Sequence, residues 1–206
     1  MPITRFLKER IDAFCKGYEE AKAEGDRIGL DVFFGFEYCY DAADFLVYNL
    51  DKEWLKAHPD IDKWEPRKAF AAMRADGGFI IHAHPFRERD YLSDIKLAPT
   101  ACDGVEVYNA ANKPNMNALG YEYTVDLGLP MTAGSDIHFF HDNDMGGMLF
   151  EDKLSSVNEY VSAVKNGKGI PVRLGSDGTI TPVSEIKEQT VSTDLPTLPV
   201  IYPEGK

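Results

Sequence analysis

His82 and His84 leave an apolar run, Phe79 to Ile81, bounded by Gly77-Gly78 before it and Pro85 after it. Such a run has the makeup of a buried parallel strand, and on a strand residues two apart project to the same side. Two imidazoles on one side of a strand end are suited to a divalent cation, so His84 and His82 are candidate ligands or catalytic imidazoles. A second same-side pair, Asp136 and His138, follows the run Pro130 to Ala133 and a Gly134-Ser135 bend. Glu37 closes a third run, Asp31 to Phe36, and a fourth, Gly104 to Tyr108, carries Glu106 and ends at Asn109. Imidazoles and carboxylates without thiols suit zinc, manganese or iron better than calcium or magnesium alone. Such a cluster can activate water, lowering its pKa from about 16 to about 7. Arg87, three residues beyond His84, has a planar fork that matches two phosphate oxygens, although it could equally be a surface arginine paired with Glu88 or Asp90. Asn109 or Ser135 could orient a ligand by a hydrogen bond, or serve only in turns.

Four apolar runs that end in ligand-grade side chains describe the C-terminal rim of a parallel barrel, where barrel enzymes place their sites. The rest of the chain supplies helices to cover it. Residues 4–25 carry Phe6, Leu7, Ile11, Phe14, Tyr18 and Ala21 at three- and four-residue spacing, which predicts an amphipathic helix ending near Gly25. A turn over Tyr38 to Ala43 leads to a companion strand from Asp44 to Leu50. Asp51 caps a short helix through Ala57, which His58-Pro59 stops. Trp64 to Asp76 and Asn115 to Leu127 are further helices, the second ended by Gly128. Residues 86–102 are polar and irregular. His141-Asp142-Asn143-Asp144 with Gly146-Gly147 reads as a flexible loop over the site. Ser156 and Glu159 form a capping box for a last helix, followed by a hairpin of Ile170 to Leu174 and Thr179 to Thr181. A single domain over residues 1–182 with a loosely ordered tail over 183–206 is the resulting expectation.

At 206 residues and 44% hydrophobic, the composition is that of an ordinary globular domain. The net charge of -12 disfavours nucleic acid as a partner, but not a small phosphorylated molecule whose charge bound cations offset. Three cysteines without CxxC spacing point to neither a disulfide framework nor a thiolate zinc site, and a cytoplasmic setting fits. No apolar run approaches a membrane span, and the first residues lack the apolar centre of a signal peptide. Nucleophilic catalysis finds little support: Gly134-Ser135-Asp136 is not a G-x-S-x-G elbow, and no P-loop or G-x-G-x-x-G is present.

The ordered series Gly-Phe-Glu37, Ile-Ile-His82-Ala-His84-Pro-Phe-Arg87, Gly-Val-Glu106-Val-Tyr-Asn109 and Gly-Ser-Asp136-Ile-His138 resembles the PHP (polymerase and histidinol phosphatase) superfamily of metal-dependent phosphoesterases. The resemblance covers roughly residues 28–175. It implies an α/β fold, a distorted TIM-like (β/α)7 barrel, with two or three metals at its C-terminal rim. It further implies Glu37, His84, Asp136 and His138 as metal ligands, and Arg87 as a phosphate contact. Members open with a strand bearing His-x-His and a second ending in Asp-His, whereas this sequence has no histidine before His58. The barrel is therefore expected to be incomplete at its N-terminus, with fewer metals and a tendency to form homo-oligomers. The resemblance implies hydrolysis of a small phosphorylated substrate by this chain or by an enzyme of which it is a fragment. A non-catalytic remnant that binds or assembles, and a metal hydrolase acting on a non-phosphate bond, are the alternatives.

Overall fold

The computed structural model describes residues 3–90, 94–139, 144–186 and 200–201, with side chains from residue 8 to residue 186. Helix α1 (Ile3–Ile28) buries Ile11 and Cys15, four residues apart on one face. It runs beyond Gly25 to Gly29, whose positive φ of 79° turns the chain back so that the Leu30 amide donates to the Gly25 carbonyl at 2.8 Å. Gly25 leaves room for that return, since a Cβ there would lie 2.6 Å from the Leu30 oxygen. Residues 31–34 then approach the sheet without joining it.

The first strand is β1 (Gly35–Tyr40), paired antiparallel with β2 (Ala43–Tyr48). The turn expected over Tyr38 to Ala43 is in fact two residues, Asp41 and Ala42, with φ of 49° and 64°. A two-residue turn with both φ positive matches the twist of the flanking strands. Both strands therefore extend to the turn, and Phe36, Tyr38, Ala43, Phe45 and Val47 form a continuous buried face. Helices α2 (Lys52–Ala57), capped by the Asp51 side chain on the Trp54 amide, and α3 (Pro66–Ala75) cover that face together with α1. Phe70 of α3 meets Phe45 and Tyr38 edge-on, at centroid distances of 4.8 and 5.8 Å.

Beyond α3 the chain continues through β3 (Phe79–His82), the short β4 (Lys96–Leu97), β5 (Gly104–Asn109), α4 (Pro114–Leu127) and β6 (Met131–Gly134). The main sheet has the order β1-β2-β3-β5-β6, antiparallel from β1 to β3 and parallel from β3 to β6. Every residue of β5 is buried, as a central parallel strand covered on both faces must be. Strands β7 (Met145–Leu149), β8 (Ile170–Leu174) and β9 (Ile180–Pro182) form a separate antiparallel sheet, with α5 (Val157–Lys165) between β7 and β8. Among the described residues the strands thus form a mixed α/β arrangement of several sheets, parallel from β3 to β6 as the strand-end motifs suggested and antiparallel at β1 and β2. Glu37 differs from the other motif residues because its strand belongs to a hairpin.

Gly146 and Gly147, expected in a loop, lie in β7; His141, Asp142 and Asn143 fall outside the described residues. The join between the sheets is made by Ser135, whose hydroxyl donates to the Gly146 carbonyl (2.8 Å) and accepts from the Gly146 amide (3.0 Å). Gly146 is packed so closely against the end of β6 that any Cβ would collide with the Gly134 carbonyl. Of the tail, Val183–Glu185 form a 3-10 turn with Val183 buried beside Val107 and Tyr108, and β10 (Val200–Ile201) pairs in parallel with β4. The expectation of a loose tail otherwise lies outside the described residues. No described helix is long and apolar enough to cross a membrane.

Candidate metal centre

The hairpin places Cys39 directly opposite Asp44 and Glu37 opposite Leu46, so Glu37 and Asp44 share the face of the sheet turned away from α1 to α3. His84 reaches the same place from the end of β3. The Glu37, Asp44 and His84 donor atoms all lie within 4.8 Å of one another. His84 Nε2 is 3.9 Å from Glu37 Oε1 and 3.8 Å from Asp44 Oδ2.

These separations are too long for hydrogen bonds. Nor are they ion pairs at neutral pH: burial, and then the charge of Arg87, push the His84 imidazole down to about 4, so the ring is neutral. The two carboxylates that face the neutral imidazole repel each other, with the Arg89 guanidinium 4.0 Å from Asp44 Oδ2, and a cation between the three would relieve the repulsion. Donors about 2.1 Å from one ion stand roughly 3 to 4 Å apart, which matches the observed spacing. Burial, and then the negative charges of Asp44 and Asp136, raise the Glu37 carboxyl above its ordinary value, the response of a site with excess negative charge. On geometry and donor chemistry, the three residues fit a divalent cation.

His82 and His84 do not share a side. Strand β3 ends at His82, and His84 adopts a left-handed φ of 29° that strand alternation does not anticipate. His82 lies opposite Phe45 and stacks on it with centroids 5.0 Å apart, inside the core face of the hairpin. It is 1% exposed and its Nδ1 finds no hydrogen-bond partner among the described residues; burial pushes its pKa down to about 3. His82 is thus a core histidine that is not brought into the cluster.

A second group of polar side chains adjoins the first. Glu106 Oε2 accepts from the His84 amide and from Asn109 Nδ2, both at 3.0 Å. Residues 106 and 109 would face opposite sides of a regular strand, but the β5/β6 register slips between Glu106 and Tyr108, and the bulge turns Asn109 back toward Glu106. Burial raises Glu106 to about 7 against the lowering effect of its two donors. Gly134 passes close by, since a Cβ there would sit 2.6 Å from Glu106 Oε1. The Glu106 carboxylate thereby fixes the backbone of His84 and hence the direction of its imidazole.

Arg87 is the hub of this second group. Its Nη1 donates to Asp136 Oδ2 (2.6 Å), its Nη2 to Asn109 Oδ1 (2.8 Å) and its Nε to Asn112 Oδ1 (2.7 Å). Asn117 of α4 secures the rest, accepting from the Asn109 amide and from Asn112 Nδ2 and donating to the Asn109 carbonyl. Burial alone would raise the Asp136 carboxyl, but the Arg87 hydrogen bond and charge outweigh it and hold the group below its ordinary value. Asp136 too has a left-handed φ, 50°. His138 is largely exposed, with Nδ1 3.0 Å from the Asp136 carbonyl and 3.4 Å from its Oδ1.

Of the residues singled out in the sequence, the fold brings Glu37 and His84 together, places Arg87, Asn109 and Asp136 in the adjoining network, and leaves His82 in the core and His138 at the rim. Asp136 and His138 do not join the donor cluster, which among the described residues is the one group of three or more. Asp44, Asn112 and Asn117 escaped the sequence reading. The pairing of Cys39 with Asp44 could have revealed Asp44 had the turn at Asp41-Ala42 been recognised, but that dipeptide lacks the Asn-Gly signature of such turns.

No protein-family model matches the chain, and no curated protein does. Among solved structures it is similar to a proposed metal-dependent phosphoesterase from Bifidobacterium adolescentis, at 16% identity over 68% of this chain and 83% of that chain, with a TM-score of 0.42. A likeness this partial assigns neither family nor activity.

Proposed function

We propose that the chain binds a divalent cation through Glu37, Asp44 and His84 and acts as a metal-dependent phosphoesterase of the PHP type on a small phosphorylated molecule. The mixed sheet would then be part of a distorted (β/α)7 barrel. The observation that carries this reading is the convergence of one neutral imidazole and two carboxylates, from three different elements, within 4.8 Å of one another. A bound cation there would supply Lewis-acid polarisation of a phosphoryl oxygen and a lowered pKa for water. The chain's own residues do the positioning. Glu106 holds the His84 backbone, while Arg87, fixed by three acceptors, presents a rigid positive charge beside the cluster on which the ester's oxyanion can be oriented. Asn109 acts through Arg87 and Glu106 rather than as a free substrate contact.

The test is turnover of p-nitrophenyl phosphate by the full chain loaded with zinc or manganese, against the same chain carrying His84→Ala. The reading expects hydrolysis that requires the cation and falls by at least about 100-fold in the variant. A second reading, a cation-binding scaffold without turnover, is favoured by the donor count, since three side chains converge and Asp136 is engaged by Arg87. Tight cation uptake without hydrolysis of phosphate esters would select it.

A further inference from the structure

Asp136 already has a cation, and the chain supplies it. The Arg87 guanidinium bonds three acceptors on three sides, Asp136, Asn109 and Asn112, so a planar group is fixed in every rotation. Asn117 in turn fixes both asparagines. The Arg87 and Asp136 side chains are only 13% and 22% exposed, so solvent screens their attraction weakly. Asp136 Oδ2 also faces Asn109 Nδ2 at 3.4 Å, and Oδ1 faces Nδ1 of the exposed His138 ring at 3.4 Å, so Oδ1 and that ring are the donors left at this end of the site. Any ion bound there would meet the Arg87 charge on the same carboxylate.

We propose that Arg87 is the resident second cation of the site. The chain takes up one divalent ion, at Glu37, Asp44 and His84, and the guanidinium holds the position at Asp136 that a second ion would otherwise fill. This rests on the cation reading of the preceding section and goes beyond it by fixing the stoichiometry and assigning Arg87 a role other than a free phosphate clamp. An oxyanion that bridges the two charges would meet one dication and one monocation.

Cobalt(II) titration of the wild-type chain, Arg87→Met and Asp136→Asn, with bound ion counted by equilibrium dialysis and elemental analysis, tests the assignment. The wild type should bind one ion, and Asp136→Asn should keep that ion with its affinity changed by less than about tenfold. Arg87→Met should bind two, the second within about tenfold of the first. The sign matters: an arginine with a merely structural role would weaken ion binding on removal, whereas here its loss creates a site. A wild-type count of two, or loss of the ion in Asp136→Asn, overturns the proposal. A count of one in a folded Arg87→Met also overturns it, while leaving the Glu37, Asp44 and His84 site intact. A wild-type count of zero removes both that site and this inference. Should Arg87→Met fail to fold by circular dichroism, the wild-type and Asp136→Asn counts decide alone.

Discussion

The cluster of Glu37, Asp44 and His84 and the network around Arg87 are built from the same kinds of residue, lie side by side, and are in opposite electrostatic conditions. In the network acceptors meet donors: Asp136, Asn109 and Asn112 accept from Arg87, Glu106 accepts from Asn109, and Asn117 accepts from Asn112. In the cluster His84 Nε2 faces the Glu37 and Asp44 carboxylates at 3.9 and 3.8 Å, beyond hydrogen bonding. Buried polar groups are ordinarily paired, so the network reads as structure and the cluster as a place for something else. Polarity does not distinguish the two regions; distance does, since Arg87 bonds its acceptors at 2.6 to 2.8 Å whereas Arg89 stands 4.0 Å from Asp44 Oδ2.

The comparison breaks most visibly if the cluster is stripped of its carboxylates. Glu37→Gln with Asp44→Asn should weaken zinc binding by more than about 100-fold in a competition titration with a chromogenic chelator, without lowering thermal stability. Unchanged affinity would move the cation elsewhere. In the network the same kind of change should act on stability instead. Asn109→Ala removes the acceptor of Arg87 Nη2 and of the Ala111 amide and the donor to Glu106, while Asn117 keeps its bonds to the residue 109 backbone, and should cost about 3 kcal/mol in urea denaturation. A loss below about 0.5 kcal/mol would mean that the hydrogen bonds are not formed in solution.

Acid separates the two regions more finely. His82 and His84, held down to about 3 and about 4, stay neutral when folded, whereas in the unfolded chain they titrate near 6.5. As pH falls below 6.5 the unfolded chain takes up the protons, so their share of stability is lost. Glu106 works in the other direction. Raised from 4.5 to about 7, it keeps its proton in the folded chain, so its share is fully present below pH 4.5 and is lost as pH rises through 7. Between pH 6.5 and 5 Glu106, one group against two, offsets about half of the histidines' loss. Glu106→Gln removes one side of the balance, and the variant should lose about 2 kcal/mol more than the wild type on going from pH 6.5 to 5. Parallel pH profiles for the two proteins would refute the assignment of opposing signs. The smallest effect belongs outside both regions: Ser135→Ala removes the bridge to Gly146 and should cost about 1 kcal/mol, with cation binding unchanged.

Much of the local structure was legible. The Asp51 cap, the proline-initiated α3, Gly128 at the end of α4 and the Ser156 cap each follow from a side chain or a φ that the residue type announces. The strand ends were legible as places, because an apolar run that stops at Glu37, His84, Asn109 or Asp136 must leave the core there. What was not legible was phase. Strand alternation put His82 beside His84, but the left-handed backbone at His84 reverses it; alternation separated Glu106 from Asn109, but the bulge reunites them. Asp44 was hidden because an Asp-Ala turn carries no glycine or asparagine to mark it, and the strand pairing that brings it opposite Cys39 is a tertiary fact. The antiparallel start of the sheet was illegible for the same reason: the apolar run before Glu37 does not state whether its neighbour runs with it or against it.

The cluster itself is tested most directly by zinc K-edge X-ray absorption on the chain holding one equivalent of zinc. The account predicts a first shell of one imidazole nitrogen and carboxylate or water oxygens at about 2.0 to 2.2 Å, with the imidazole signature lost in His84→Ala. A shell with two or more imidazoles, a sulfur at about 2.3 Å, or an unchanged spectrum in His84→Ala would contradict it.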